Sequence, residues 1–240
     1  MLLRRSRLSA AASALALTGL LALGGCGDDD GTTATDGGSG GSDLDLSSLP
    51  TGAPVACDYA DDDNLPAARD VEKPPAEAAY TGEIPIVLST TLGALDLTLD
   101  ATKAPCTVGS FLSLASQGYY DDTPCHRLVT PQSGGLSVLQ CGDPSGKGTG
   151  GPGYTVPDEL DGSETYPAGT LAMANIGQPD TNGSQFFMVY AATQLPPEYT
   201  VFGTLDQAGI DKVAALAEKG VAADGVAPAE AVDIERVSLG

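Results

Sequence analysis

From about residue 82 onward the sequence predicts a mainly β fold, a closed barrel with only two helices. Three observations carry that reading. Short apolar runs recur between Gly- and Pro-rich turns, and the clearest alternate apolar with polar residues. Only two stretches have helical periodicity. The strands lack the regularly interleaved helices that a parallel α/β sheet needs.

The elements follow in order. Residues 84–89 and 94–99 read as two strands around a turn at 90–93, with Leu95, Leu97 and Leu99 alternating with polar neighbours. Pro105 opens a helix with Val108, Phe111, Leu112 and Ala115 on one face, and Gly118 stops it. Short β-type runs follow at 125–130, 138–142, 170–174, 186–190 and 200–205. A second helix spans 207–219, with Ile210, Val213, Ala214 and Ala217 inward and Gly220 after it. Val232, Ile234, Val237 and Leu239 form a last strand.

Ahead of this domain the composition changes twice. Residues 1–26 carry Arg4, Arg5 and Arg7 and no acid, and residues 8–23 are free of charge. That run is short for a bilayer span, which needs about 20 apolar residues, and suits the apolar region of a signal peptide. Leu23-Gly24-Gly25-Cys26 resembles the lipobox of bacterial lipoprotein precursors, in which the signal is removed and the Cys is lipidated. The resemblance implies a signal peptide at 1–25, a lipid anchor on Cys26, and a mature protein on the extracytoplasmic face of the cell membrane. Residues 27–83 hold 14 acidic residues against 2 basic ones. Rich in Gly, Ser, Thr, Pro and Asp, the stretch 26–81 is expected to be an extended, solvated tether, and 82–240 the folded domain.

Charge and cysteines exclude several functions. A net charge of −21 is the wrong sign for nucleic acid, which requires a basic footprint. Asp28-Asp29-Asp30 and Asp61-Asp62-Asp63 lack the alternating ligands, Gly and distal Glu of a calcium loop. With Cys26 lipidated, Cys57, Cys106, Cys125 and Cys141 remain, enough for two disulfides in any of three connectivities. Cys125 and Cys141 flank two apparent neighbouring strands, which favours that bridge and leaves Cys57 with Cys106. No pair has C-x-x-C spacing, so neither a zinc knuckle nor a thioredoxin-type redox site is expected.

Other patterns fail on context. Gly37-Gly38-Ser39-Gly40-Gly41 fits a hydrolase nucleophile, but no strand or helix flanks it to build the elbow. Gly148-Thr149-Gly150-Gly151-Pro152-Gly153 fits a dinucleotide loop, but Pro152 and Pro157 forbid the helix that would receive a pyrophosphate. His126 is the only His, so no multi-His metal site can form, and a structural role for it is expected. No metal or cofactor is expected.

What remains is specific. Cys125-His126-Arg127-Leu128-Val129 precedes Val138-Leu139-Gln140-Cys141-Gly142-Asp143. Gly169-Thr170-Leu171-Ala172-Met173-Ala174-Asn175 precedes Asn182-Gly183-Ser184-Gln185-Phe186-Phe187, and Tyr199-Thr200-Val201-Phe202-Gly203 closes the set. Together these segments resemble the cyclophilin family of peptidyl-prolyl isomerases, over roughly residues 84–240 and in the family's order. The resemblance implies an eight-stranded antiparallel barrel with two capping helices and an active groove on its outer face. It places the catalytic Arg at Arg127 and the groove Gln at Gln140. The peptide-binding positions fall on Ala174, Asn175 and Gln185, and the proline pocket on Phe187, Val138, Leu195 and Tyr199. Three departures matter. Ser137 stands where the family has a pocket Phe, so one aromatic wall is missing unless Leu136 turns inward. Gln194 stands where the family has a Trp, and the stretch 128–139 is longer than the usual loop.

The chemistry implied needs only these side chains. An X–Pro bond isomerises over a barrier of roughly 18–20 kcal/mol because amide resonance resists twisting. A guanidinium donating to the proline nitrogen favours the twisted form, which has lost that resonance. The expected function is a monomeric prolyl isomerase acting on X–Pro segments of exported proteins at the membrane. The alternative is a binding or chaperone module that holds such segments without turnover.

Overall fold

The computed structural model describes residues 44–62 and 67–240, so Cys26 and the uncharged run at 8–23 lie outside the described residues. In chain order the elements are β1 Thr51–Ala56, β2 Glu77–Tyr80, β3 Glu83–Thr90, β4 Gly93–Asp100 and helix α1 Pro105–Ser116. There follow β5 Thr123–Pro124, β6 Arg127–Val129, β7 Val138–Cys141, β8 Thr170–Met173 and β9 Phe186–Val189. The chain ends with β10 Val201–Leu205, helix α2 Gln207–Glu218 and β11 Asp233–Leu239.

Nine strands form one antiparallel sheet in the order β5-β11-β3-β4-β10-β8-β9-β7-β6. The two ends of that order, β5 and β6, are separated in the chain only by Cys125 and His126. The sheet is therefore curled until its edges meet, which removes the unpaired edge that an open sheet would expose. The nine strands are one more than the eight expected, because β5 and β6 stand separately on either side of Cys125 and His126.

Alternation fills the interior. Ile84, Ile86 and Leu88 on β3 and Leu95, Leu97 and Leu99 on β4 are all buried, and they meet Phe111, Tyr120, Phe186 and Phe202. Burying each such side chain contributes about 1.5–3 kcal/mol. Helix α2 packs Val213 and Leu216 onto the core and is capped by Asp206, whose carboxylate accepts from the Gly209 N–H at 2.7 Å. Helix α1 starts at Pro105, as its sequence predicts, but Ala104 at its N-cap offers no side-chain acceptor. Glu159, from a distant loop, supplies one: its carboxylate accepts from the Cys106 and Thr107 N–H groups at 2.8 Å each. Burial raises the Glu159 pKa above its usual value, and these backbone hydrogen bonds oppose the rise.

The expected tether requires correction. Over its described residues, 44–62 and 67–81, the chain is folded onto the domain. β1 and β2 pair as a separate antiparallel two-stranded sheet, and Leu44, Cys57, Tyr59 and Ala78 are buried in the main core. This strap covers the outer side of α1, which explains why α1 buries nine of its residues rather than a single face. The approach is also close at Gly109, where a methyl would lie 3.3 Å from the Tyr59 hydroxyl. The Cys57–Cys106 disulfide, the Tyr59 hydroxyl donating to the Cys106 carbonyl at 2.8 Å, and a Lys73–Asp61 ion pair fasten it. Arg69 reaches the carbonyls of Gly118, Tyr119 and Asp121 beyond α1. Composition hides all this, because the strap has few large apolar residues and is held by contacts far away in sequence.

The second disulfide, Cys125–Cys141, spans the barrel seam, so the pairing follows the expected connectivity. Beside it His126 is 9% exposed, and neither ring nitrogen has a hydrogen-bond partner. Contacts to the Gln185 side chain and the Pro124 carbonyl fall short of bonding geometry. Burial depresses the His126 pKa; the Asp143 carboxylate pulls it back up and the Arg127 charge pushes it down.

Replacing both Cys57 and Cys106 by Ala should cost about 3–4 kcal/mol, from the closure entropy of a loop with sequence separation 49. Urea unfolding measures this, and limited trypsin digestion should then cut after Arg69 before it cuts the barrel. A second expectation concerns pH. The unfolded chain takes up a proton on His126 at a higher pH than the folded one does. Stability should therefore fall as pH drops through about 6.5 toward the depressed folded value. His126→Leu should flatten this part of the stability–pH curve; an unchanged slope would assign the dependence to other groups.

Candidate active site

The curled sheet sets a row of side chains on its outer surface. Arg127 on β6 is in register with Gln140 on β7, Gln140 with Phe187 on β9, Phe187 with Ala172 on β8, and Ala172 with Val201 on β10. Strand residues alternate faces, so the neighbours Leu128, Leu139, Phe186, Leu171 and Phe202 point into the barrel. Two residues along each strand, Val129, Val138 and Val189 lie on the same outer face. With Tyr166, Ala172 and Phe187 they make a second, smaller apolar cluster. Charge and amide groups thus meet an apolar patch across three adjacent strands.

A hydrogen-bonded chain orders the polar half. The Arg127 Nη1 group donates to the Gln140 Oε1 at 3.1 Å. Gln140 Nε2 donates to Gln185 Oε1 at 2.8 Å, and Gln185 Nε2 to the Gly150 carbonyl at 2.9 Å. Arg127 is exposed, so its remaining donors are open to solvent beside this row. The Gly-rich loop that ends this chain is itself fixed. The fully buried Asp143 carboxylate accepts from Ser145 N and Oγ and from the Thr149 and Gly150 N–H groups, at 2.8–3.1 Å. These bonds outweigh its burial and hold its pKa below the usual carboxylate value. On its far side Ala68 of the strap donates to the Gly151 carbonyl at 2.9 Å.

The motif Asn182-Gly183-Ser184-Gln185-Phe186-Phe187 now has a physical account. Asn182 is buried and donates to Asp158 at 2.7 Å. Ser184 donates to the Gly142 carbonyl at 2.7 Å. Gly142 has φ 92°, and a Cβ there would lie 2.4 Å from the Ser184 carbonyl oxygen, so only Gly is accommodated. Gln185 joins the polar chain, Phe186 enters the core and Phe187 floors the outer cluster.

The apolar half is a packed cluster around Phe187. Phe187 is 5% exposed, and Tyr199 stands edge-on to it with ring centroids 5.5 Å apart and planes at 85°. Leu195, Ala174 and Leu136 are half-buried against the cluster. Ser137 is buried and its carbonyl accepts from Tyr190 N–H at 3.1 Å. Leu136, beside it, packs against the cluster. The long stretch before it is closed on itself by reciprocal Thr130–Ser133 hydrogen bonds. Gln194 is exposed.

All the sequence-predicted groove residues therefore converge on one face, with two adjustments. Asn175 spends its side-chain amide internally, donating to the Glu198 carbonyl at 2.9 Å and accepting from Gly177 N–H at 3.0 Å. Gln185 is likewise committed to Gln140 and Gly150, so its amide braces the groove. The sequence reading missed Tyr166, which is 3% exposed and lies against both Phe187 and Tyr199, with centroids 6.4 and 6.0 Å away. It has no local signal: a Tyr before Pro167 reads as part of a loop.

Comparison with known proteins agrees with this geometry. The profile of the family described as cyclophilin type peptidyl-prolyl cis-trans isomerase matches residues 86–239. The chain is 45% identical over 195 residues to a Mycobacterium tuberculosis protein named "Probable peptidyl-prolyl cis-trans isomerase B"; that match covers 72% of this chain and 62% of the relative's length. The Mycobacterium leprae protein of the same name is 42% identical over 206 residues, covering 77% of this chain and 67% of the relative. Among solved structures, a Cryptosporidium parvum cyclophilin type peptidyl-prolyl cis-trans isomerase superposes with TM-score 0.58 at 29% identity. It covers 66% of this chain and 98% of its own. With the family profile spanning most of the barrel and the groove residues in register on its outer face, the chain belongs to the cyclophilin-type peptidyl-prolyl cis-trans isomerase family.

Proposed function

We propose that this protein is a peptidyl-prolyl cis-trans isomerase, held by a lipid on Cys26 at the extracytoplasmic face of the cell membrane, where it assists the folding of exported proteins. The observation that carries the catalytic reading is the in-register row of Arg127, Gln140 and Phe187, with Arg127 oriented by Gln140 beside an apolar pocket. Phe187, Val138 and Leu195 grip the pyrrolidine ring, while the amide on the other side of the bond rotates. As the bond twists, the proline nitrogen pyramidalises and gains a lone pair, which accepts a hydrogen bond from Arg127. That contact strengthens only near the transition state, which lowers the barrier without covalent chemistry. A donor already held by the Gln140–Gln185–Gly150 chain needs little reorganisation when the charge shifts.

The cellular placement rests on the sequence. An uncharged run behind three Arg residues, ending in Leu23-Gly24-Gly25-Cys26, supports export and lipidation. Two disulfides support an oxidising compartment.

In an isomerisation assay on a short X–Pro peptide, Arg127→Ala should slow catalysis by about ten- to 150-fold, the loss of one charged hydrogen bond. Arg127→Lys should recover little of it, because the ammonium lacks the planar fork. A folded Arg127→Ala protein with wild-type turnover would remove Arg127 from the catalytic role; a wild-type protein that binds the peptide without isomerising it would turn the assignment toward a binding module. For placement, intact-mass analysis of the membrane fraction should find acylated Cys26 as the N-terminus, and Cys26→Ser should release soluble or unprocessed protein. An unacylated wild type cut elsewhere would refute the anchor.

A further inference from the structure

Between β9 and β10 the chain crosses residues 190–200 and presents Leu195 and Tyr199 to the pocket. This connection has little packing of its own: Ala191, Ala192, Gln194, Pro196, Pro197 and Glu198 are exposed. An exposed segment of this kind costs conformational entropy to hold in one shape, so something outside it must fix the pocket rim.

Tyr166 does so at both ends. Its backbone forms an isolated antiparallel bridge with Thr193, whose N–H donates to the Tyr166 carbonyl at 3.4 Å. Its hydroxyl donates to the Tyr199 carbonyl at 3.1 Å and accepts from the Tyr199 N–H at 3.0 Å. One phenol therefore satisfies both backbone groups of the rim residue. The ring fills the space beneath Phe187 and Tyr199 and is almost wholly covered. It acts on a bound proline only through the residues it holds.

We infer that Tyr166 is the positioning residue of the proline pocket, setting where Tyr199 and Leu195 stand over Phe187 and hence how tightly the pyrrolidine ring is gripped. This rests on the proposed reading of that pocket as the proline site. Arg127 lies across the row on β6 and is held by a separate hydrogen-bonded chain. Loss of the Tyr166 hydroxyl therefore weakens grip and leaves the rotation step largely intact.

The test is Tyr166→Phe, which keeps the ring and removes the hydroxyl. Kinetics on a short X–Pro peptide should show KM raised by about three- to tenfold, with kcat within about twofold. Amide hydrogen exchange by NMR should show faster exchange at Tyr199. Leu195→Ala should raise KM in the wild type and add little in the Tyr166→Phe background, since both act through one connection. An unchanged KM with unchanged Tyr199 exchange, or fully additive effects of the two substitutions, overturns the inference. A wild-type protein that does not isomerise the peptide would instead refute the proposed activity; Tyr199 exchange and peptide binding by Tyr166→Phe would still decide the role of Tyr166.

Discussion

The whole molecule depends on closing an antiparallel sheet whose side chains alternate strictly between two faces. Closure obliges one face of each strand to fill the barrel, which Ile84, Leu97, Leu139, Phe186 and Phe202 do. The opposite face of the same strands is then free to carry chemistry. Because Arg127, Gln140 and Phe187 occupy directly paired positions on β6, β7 and β9, their spacing is set by the ladder itself. A slip of one residue would send Arg127 inward and Leu128 outward, so the core that stabilises the barrel also enforces the groove.

What the ladder cannot fix is the orientation of long polar side chains, and that is left to loops. Gln140 and Gln185 lock each other, and the Gly150 carbonyl ends their chain. That carbonyl stays in place because the buried Asp143 carboxylate gathers the backbone N–H groups of the same loop. A Gly-rich stretch that resembles a phosphate loop thus serves as a rigid bracket. Its order is imposed from within by a charge and from without by Ala68 of the strap.

The strap shows how a polar, proline-rich segment becomes structural. It contributes few large side chains, yet a disulfide to Cys106 and the buried Tyr59 bring it against α1. Once there, Arg69 and Lys73 find acceptors that a solvated chain would lack. Helix α1 is left sandwiched between barrel and strap.

Read alone, the sequence determined the strands and helices of the barrel and the closing glycines, and it favoured one of three disulfide connectivities, which the structure then decided. It also marked the outer groove through Arg127, Gln140, Gln185 and Phe187. Those features are legible because period-two alternation, helix punctuation and a dense motif are local properties of the chain. Tertiary structure alone decided the rest. It folded the described residues of the strap onto the barrel, packed Leu136 against the outer cluster, and brought Glu159 to the bare N-terminus of α1. It also set Tyr166 beneath Tyr199. Each of these is a contact between residues dozens of positions apart or a choice of loop path. Such choices are made by the space and the unpaired backbone groups that the finished barrel leaves, which no local pattern encodes.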